Sequence, residues 1–149
     1  MPAPSLVRGA GLALLLAWPA VADAPAAFGT LEIELTHVEP LTGDLYVGLH
    51  SEPGNFPKVD KAARKETAKA TSNPQTLVLE KVPYGTWAVS VWHDVNGDQK
   101  LQTGIFGIPK EPMGVSNNPR ARMGPPRFDD AKFELKQERL KLSIHLDVP

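Results

Sequence analysis

Between Gly29 and Thr36 the chain alternates strictly, with Leu31, Ile33 and Leu35 at every second position and Glu32, Glu34 and Thr36 between them. A period of two places all three apolar side chains on one face of a half-buried strand. The same pattern returns over Asp44–His50, where Leu45, Val47 and Leu49 alternate with Tyr46, Gly48 and His50, and again over Gln75–Val82. Thr86–Asp94 sets Trp87, Val89 and Val91 on one face, and the parity carries to His93. Ala131–Leu135 predicts a short strand and Arg139–Val148 a last one, with Leu140, Leu142, Ile144 and Leu146 in step. Turn residues punctuate these runs at Pro40–Gly43 and Pro83–Gly85, and the short first gap predicts that the first two strands form an antiparallel hairpin. No segment sustains a helical period. Some seven short strands, each with one apolar face, predict an all-β fold in which two antiparallel sheets pack as an immunoglobulin-like β-sandwich.

Two stretches interrupt the alternation. In Ser51–Pro74, Pro53, Gly54 and Pro57 exclude a regular strand at the start, while the charged, Ala-rich run Lys58–Ala70 fits a short surface helix or a mobile loop. The second stretch is longer: after Asp94 the chain passes through a connection reaching about Phe128, with prolines at 109, 112, 119, 125 and 126. Connections of this length without their own secondary structure tend to be functional or disordered, and five prolines favour an ordered one. Phe106, Ile108, Met113, Phe128 and Phe133 are expected to pin it to the core; the alternative, ranked second, is an exposed apolar surface for a partner.

Composition adds an address. Arg8, the apolar run Gly9–Trp18 and the small residues Pro19–Ala22 follow the secretory-leader pattern, with cleavage expected after Ala22 and Ala24 as the second choice. The run is shorter than the ~20 residues that span a bilayer, so no membrane span is expected in the mature chain. Residues 23–28 then read as a flexible tether and 29–149 as a single domain. The chain has no cysteine, which excludes disulfides, thiol chemistry and a lipid-accepting cysteine. A periplasmic or secreted monomer is expected. The formal charge of −1 becomes −2 without Arg8, a balance that gives no reason to expect nucleic acid or an anionic membrane surface as a partner.

Candidate chemistry gathers between residues 93 and 127. Asp94, Asn96 and Asp98 offer oxygen ligands at every second position, and with the Lys100 carbonyl they could wrap a calcium ion. An EF-hand is excluded, because Gln99 stands where its glycine is needed and Ile105 where the closing Glu belongs. The competing reading is a type I′ turn at Asn96-Gly97 with Asp94 and Asp98 capping backbone amides. His93, at the end of a core strand, could hold a metal, relay a proton or bind a ligand, or could be a buried imidazole bonded to loop carbonyls. Lys110, Glu111, Asn117, Asn118, Arg120, Arg122 and Arg127 lie within this connection, whose guanidinium and amide groups could form a pocket for a carboxylate, phosphate or sugar. The alternative is a polar lid in which Arg120 and Arg122 tie down carbonyls and Asp129 or Asp130. His37, His50 and His145 show no ligand-like spacing.

The phrase Pro-Tyr-Gly-Thr-Trp-Ala-Val-Ser-Val-Trp-His-Asp-Val-Asn-Gly-Asp at 83–98, with Phe106-Gly-Ile-Pro-Lys-Glu, Gly114-Val-Ser-Asn-Asn and Gly-Pro-Pro-Arg-Phe-Asp-Asp-Ala following in order, closely resembles a bacterial family known as domain of unknown function 2141. The resemblance implies an exported bacterial protein and supplies no catalytic residue. The turn at Pro83–Trp87 also resembles those of transthyretin-like and carboxypeptidase-regulatory-like domains, which implies a prealbumin-like sandwich and, since such folds host unrelated activities, no function.

No nucleophile elbow, phosphate-cradling glycine loop or His-Glu-x-x-His helix is present. The leading expectation is therefore a non-catalytic exported sandwich that binds a small ligand, an ion or an envelope protein through the 94–128 region. A structural module adding strands at its sheet edges is the alternative. A hydrolase built around His93 ranks third.

Overall fold

The computed structural model describes residues 27–120 and 122–149. The leader, its cleavage site and the tether as far as residue 26 lie outside them. Eight strands are found: β1 (Phe28–Thr36), β2 (Asp44–His50), β3 (Arg64–Lys69), β4 (Gln75–Pro83), β5 (Gly85–Asp94), β6 (Met113–Val115), β7 (Phe133–Leu135) and β8 (Arg139–His145). One sheet runs β4-β1-β8 and the other β3-β2-β5-β6, with β7 paired to the first residues of β5. Leu31, Ile33, Leu35, Leu79, Val82 and Ile144 of the first sheet join Leu45, Val47, Leu49, Val89 and Val91 of the second in one buried cluster. Each such side chain contributes about 1.5–3 kcal/mol relative to exposure, so a core of this kind can hold a cysteine-free chain. The predicted all-β, two-sheet architecture is the one observed.

Its wiring differs from the simplest expectation. β1 and β2 do not form a hairpin: β1 pairs with β4 and, in parallel, with β8, whereas β2 lies between β3 and β5. The reason sits in the connection, where Val38 is fully buried in the core. A tight hairpin loop would leave Val38 in water. Crossing between sheets buries it instead, with His37 and Gly43 at positive φ turning the chain. The charged run after Lys58 is neither a helix nor a loose loop. It contains a 3-10 turn at Val59–Lys61 and then β3, whose Arg64, Glu66 and Ala68 are half-buried while Lys65, Thr67 and Lys69 face solvent. The strand expected over Ala131–Leu135 begins as a helical turn, α1 (Phe128–Ala131), and only Phe133–Leu135 pairs.

The larger sheet is covered on both faces. Opposite the core, Ala88 packs with Val115, Phe128, Ala131 and Phe56, brought there by the two long connections. Ser116 fastens the second connection, its hydroxyl donating to the Ala131 carbonyl at 2.6 Å and accepting the Val89 amide at 2.9 Å. β5 is thus paired along both edges and packed on both faces, and the candidate site grows from its last residues.

Candidate functional site

His93 is paired across the sheet with Leu45 and points inward, fully buried, as the parity predicts. Its Nε2 lies 2.7 Å from the Thr42 carbonyl, so that nitrogen carries the proton and donates. Nδ1 is then a bare acceptor, buried with no donor among the described residues. The adjacent turn presses close: a Cβ on Gly43 would lie 1.9 Å from the Asp94 carbonyl oxygen, and its φ of +75° independently favours glycine. His93 is thereby enclosed, with the Thr42–Gly43 turn against it, at the root of the loop that follows it.

That loop is held by two buried carboxylates. Asp94 accepts the Gly97 amide on Oδ1 at 2.9 Å and the Gln99 amide on Oδ2 at 2.8 Å. Asn96 accepts the Asp98 amide, and Asp98 accepts the Lys100 amide and the Gln102 carboxamide. The capping roles expected of Asp94 and Asp98 are therefore present. The turn itself is not type I′, because Gly97 and Gln99 take positive φ while Asn96 does not. Glu111, 6 % exposed, closes the far end: Oε1 accepts the Val95 amide, and Oε2 accepts the Gln102 amide and the Trp92 indole N–H. Trp92 stacks on Tyr46 with ring centroids 4.9 Å apart. Burial, reinforced by Asp44 and Asp94, pushes the Tyr46 phenol upward from its ordinary pKa. Glu111 is the organising residue of the loop; the sequence marks it as one of the loop's polar residues, while its role as a clamp on backbone amides has no linear pattern.

Between those anchors the chain forms a small projecting hairpin. Thr103 bridges to Pro109, the Lys110 amide donates to the Gln102 carbonyl at 2.8 Å, and the Gly104 amide donates to the Ile108 carbonyl at 2.7 Å. A 3-10 turn at Ile105–Gly107 makes the tip. Contrary to the leading expectation from their apolar character, Phe106 and Ile108 do not pin the connection to the core. Ile105 is 78 % exposed, Phe106 96 % and Ile108 49 %, with Leu101 exposed at the base. The short hairpin satisfies its own backbone and has no depth to bury these side chains. Phe133 does pack against the core as predicted, Phe128 is buried instead on the outer face of the larger sheet, and Met113 is half-buried.

The remaining candidates are distributed rather than gathered. Asn117 donates to the Asp130 and Lys132 carbonyls; Asn118 donates to the Ser143 carbonyl and accepts the His145 amide. These two asparagines, both at positive φ, lash the connection to α1 and β8, the task that the lid reading gave to arginines. Arg127 lies 3.7 Å from Asp130, while Arg120 and Arg122 are exposed. Lys110 is exposed on the hairpin, its stem lying over Gly104. The depressions on the described surface include one of about 70 Å³ beside His50, Glu52 and Lys61 and one of about 300 Å³ beside Tyr84, Thr86 and Glu134. Neither is lined by His93, Lys110, Asn117, Asn118, Arg120, Arg122 or Arg127.

The fold also brings together residues that the sequence keeps apart. His37 and His145 stack 5.5 Å apart at 29°, with Asp147 3.4 Å from His37 Nδ1. Stacked rings aim their in-plane lone pairs past one another. Among the described residues no group of three or more His, Asp or Glu side chains is placed to hold a metal ion. No helix among them is long and apolar enough to cross a membrane.

No curated protein and no solved structure matches the chain. Residues 33–143, which take in the interior of both sheets and the whole of the projecting connection, match the family described as "Uncharacterized protein conserved in bacteria (DUF2141)", and the chain belongs to that family.

Proposed function

We propose that this protein is an exported, non-catalytic binding module of the bacterial envelope, and that its contact surface is the hairpin spanning residues 101–110. One observation carries the reading: three large apolar side chains, Ile105, Phe106 and Ile108, stand in solvent at the tip of a hydrogen-bonded hairpin whose base is clamped by Glu111. Exposed apolar groups that cluster, unlike scattered ones, mark contact sites. Phe106 adds a conformational cost, since φ +61° and ψ +19° is a left-handed backbone in which a non-glycine residue is disfavoured by roughly 1–3 kcal/mol. The carboxylates and asparagines of the region support the same view by spending their polar atoms on the chain itself, which makes the connection a rigid mount for the hairpin. Export rests on the leader pattern. The sheet-edge alternative has less behind it, because the β3 edge is lined by Arg64, Lys65, Glu66 and Lys69, side chains that discourage strand addition.

The test is retention on an isolated bacterial envelope fraction by wild-type protein and by the double variant Ile105→Asp, Phe106→Asp. Both residues lie outside the core clusters, so the variant is expected to keep the wild-type melting temperature and to lose retention. Equal retention of the two proteins would remove the hairpin as the contact surface.

A further inference from the structure

Resting on that reading, we infer that the surface met by the hairpin is an anionic lipid bilayer, into whose interface the tip inserts. Charge pattern is the first argument. Lys100-Leu-Gln-Thr-Gly-Ile-Phe-Gly-Ile-Pro-Lys110 carries no charge between its two lysines. The Lys110 amide bonds to the Gln102 carbonyl, so the chain returns at Lys110 to the level at which it left, and both lysines stand at the root of the hairpin. A projecting apolar tip with a cation on each side of its base complements a bilayer whose acyl region lies beneath negative headgroups. Lysine stems can lie along apolar surface while their ammonium groups reach the headgroups, and the Lys110 stem already lies against Gly104.

Shape is the second argument. The tip is convex, and Phe106 at 96 % exposure touches almost nothing of its own protein. A protein partner would need a matching pocket for it, whereas an acyl region adapts to any projecting side chain. Two carboxylates stand near the root: Glu111 turns its oxygens inward onto Val95, Gln102 and Trp92, and the exposed Asp98 has one oxygen on the Lys100 amide and the other on the Gln102 carboxamide, which leaves two cations against one exposed anion there. The small overall negative charge does not oppose this arrangement, because a charge more than about 10 Å from the surface is largely screened at ordinary ionic strength. Binding set by two lysines should for the same reason weaken with added salt.

The experiment uses the full mature chain and two synthetic vesicle preparations, phosphatidylethanolamine with phosphatidylglycerol, and phosphatidylcholine alone. Wild-type protein is expected to co-sediment with the phosphatidylglycerol vesicles, and Ile105→Asp, Phe106→Asp to reduce the bound fraction about tenfold at an unchanged melting temperature. Lys100→Glu, Lys110→Glu is expected to abolish the preference for the anionic vesicles. A Phe106→Trp variant should show a blue-shifted emission on adding those vesicles and none on adding phosphatidylcholine at the same concentration. Failure of the wild type to sediment, or sedimentation that ignores the tip substitutions, overturns the inference. If the wild type is retained on the envelope fraction through its hairpin but ignores synthetic vesicles, and protease treatment of that fraction ends retention, the partner is a protein: the lipid inference falls while the contact-surface reading survives. A dimer in sedimentation equilibrium that Ile105→Asp, Phe106→Asp dissolves would overturn it in favour of a second copy of this chain.

Discussion

His50 shows what a single buried polar residue does when the strand pattern puts it on the outer face of a sheet. It sits 2.8 Å from the Ser90 hydroxyl and edge-on to Phe56 at 5.1 Å, roofed by the connection that follows β2. Gly48 makes the space, since a Cβ there would fall 3.0 Å from His50 Nε2 and 3.1 Å from Ser90 Oγ. Burial holds the imidazole below its ordinary pKa of 6.5. The folded state therefore binds a proton less readily than the unfolded chain, and stability rises with pH wherever the two differ in protonation. This contribution is fully present above pH 6.5, declines as pH falls from 6.5 toward the folded pKa, and levels off below it. Urea midpoints measured across that interval should fall for the wild type and stay level for His50→Gln, apart from carboxylate titration at lower pH. An unchanged slope in the variant would mean another group carries it. The alternation places His50 opposite Leu49 and so outside the core; it carries no information on the later residues that come back to cover that face.

At the scale of elements, the same limit explains which parts of the loop region were legible. A period of two fixes which face of a strand is apolar, so the inward direction of His93 and the outward direction of Trp92 follow from sequence alone. It does not identify a strand's partner, and the β1–β2 hairpin expectation failed on Val38, an apolar residue in the short gap between the strands that is buried in the core. Nor does it separate an apolar residue that pins a loop from one that caps it, which is why Phe106 and Phe128 looked alike and behave oppositely. Side-chain clamps on a loop are the least legible, because Glu111 acts through backbone amides at Val95 and Gln102, groups every residue has. Glu111→Gln tests that clamp. The carboxamide keeps one acceptor and turns an N–H toward donors, so at least one of the Trp92, Val95 and Gln102 partners is left without an acceptor, at about 1–3 kcal/mol. A lower urea midpoint with faster amide exchange at Gln102 and Val95 is expected. Because the loop supplies its own hydrogen bonds, calcium and chelator should give the wild type the same melting temperature; a rise with calcium would show an ion joining Asp94, Asn96, Asp98 and Lys100.

For the whole molecule, the decisive link is the parallel pairing of β1 with β8, which joins residues 30–36 to residues 139–145. β1 is the central strand of its sheet, and removing β8 would bare one of its edges together with the floor of the core where Ile144 and Leu146 are buried. No covalent cross-link substitutes for that contact, the chain having no cysteine. The turn carrying the hairpin depends on it too: the Met113 amide and carbonyl exchange hydrogen bonds with Asp147, and the Leu146 amide donates to the Thr36 carbonyl. So the end of the chain braces both the sheet and the mount of the apolar tip. A chain stopped after Gln137 should lose its cooperative urea transition rather than shift it, since a bared central strand and an opened core are lost together. Long-range pairing of this sort also sets the kinetics, and the intact chain should fold in milliseconds to seconds, followed by Trp87 and Trp92 fluorescence after dilution from urea. A sharp transition in the shortened chain would show that β4, β1 and the larger sheet form a self-sufficient unit, and that β8 only covers it.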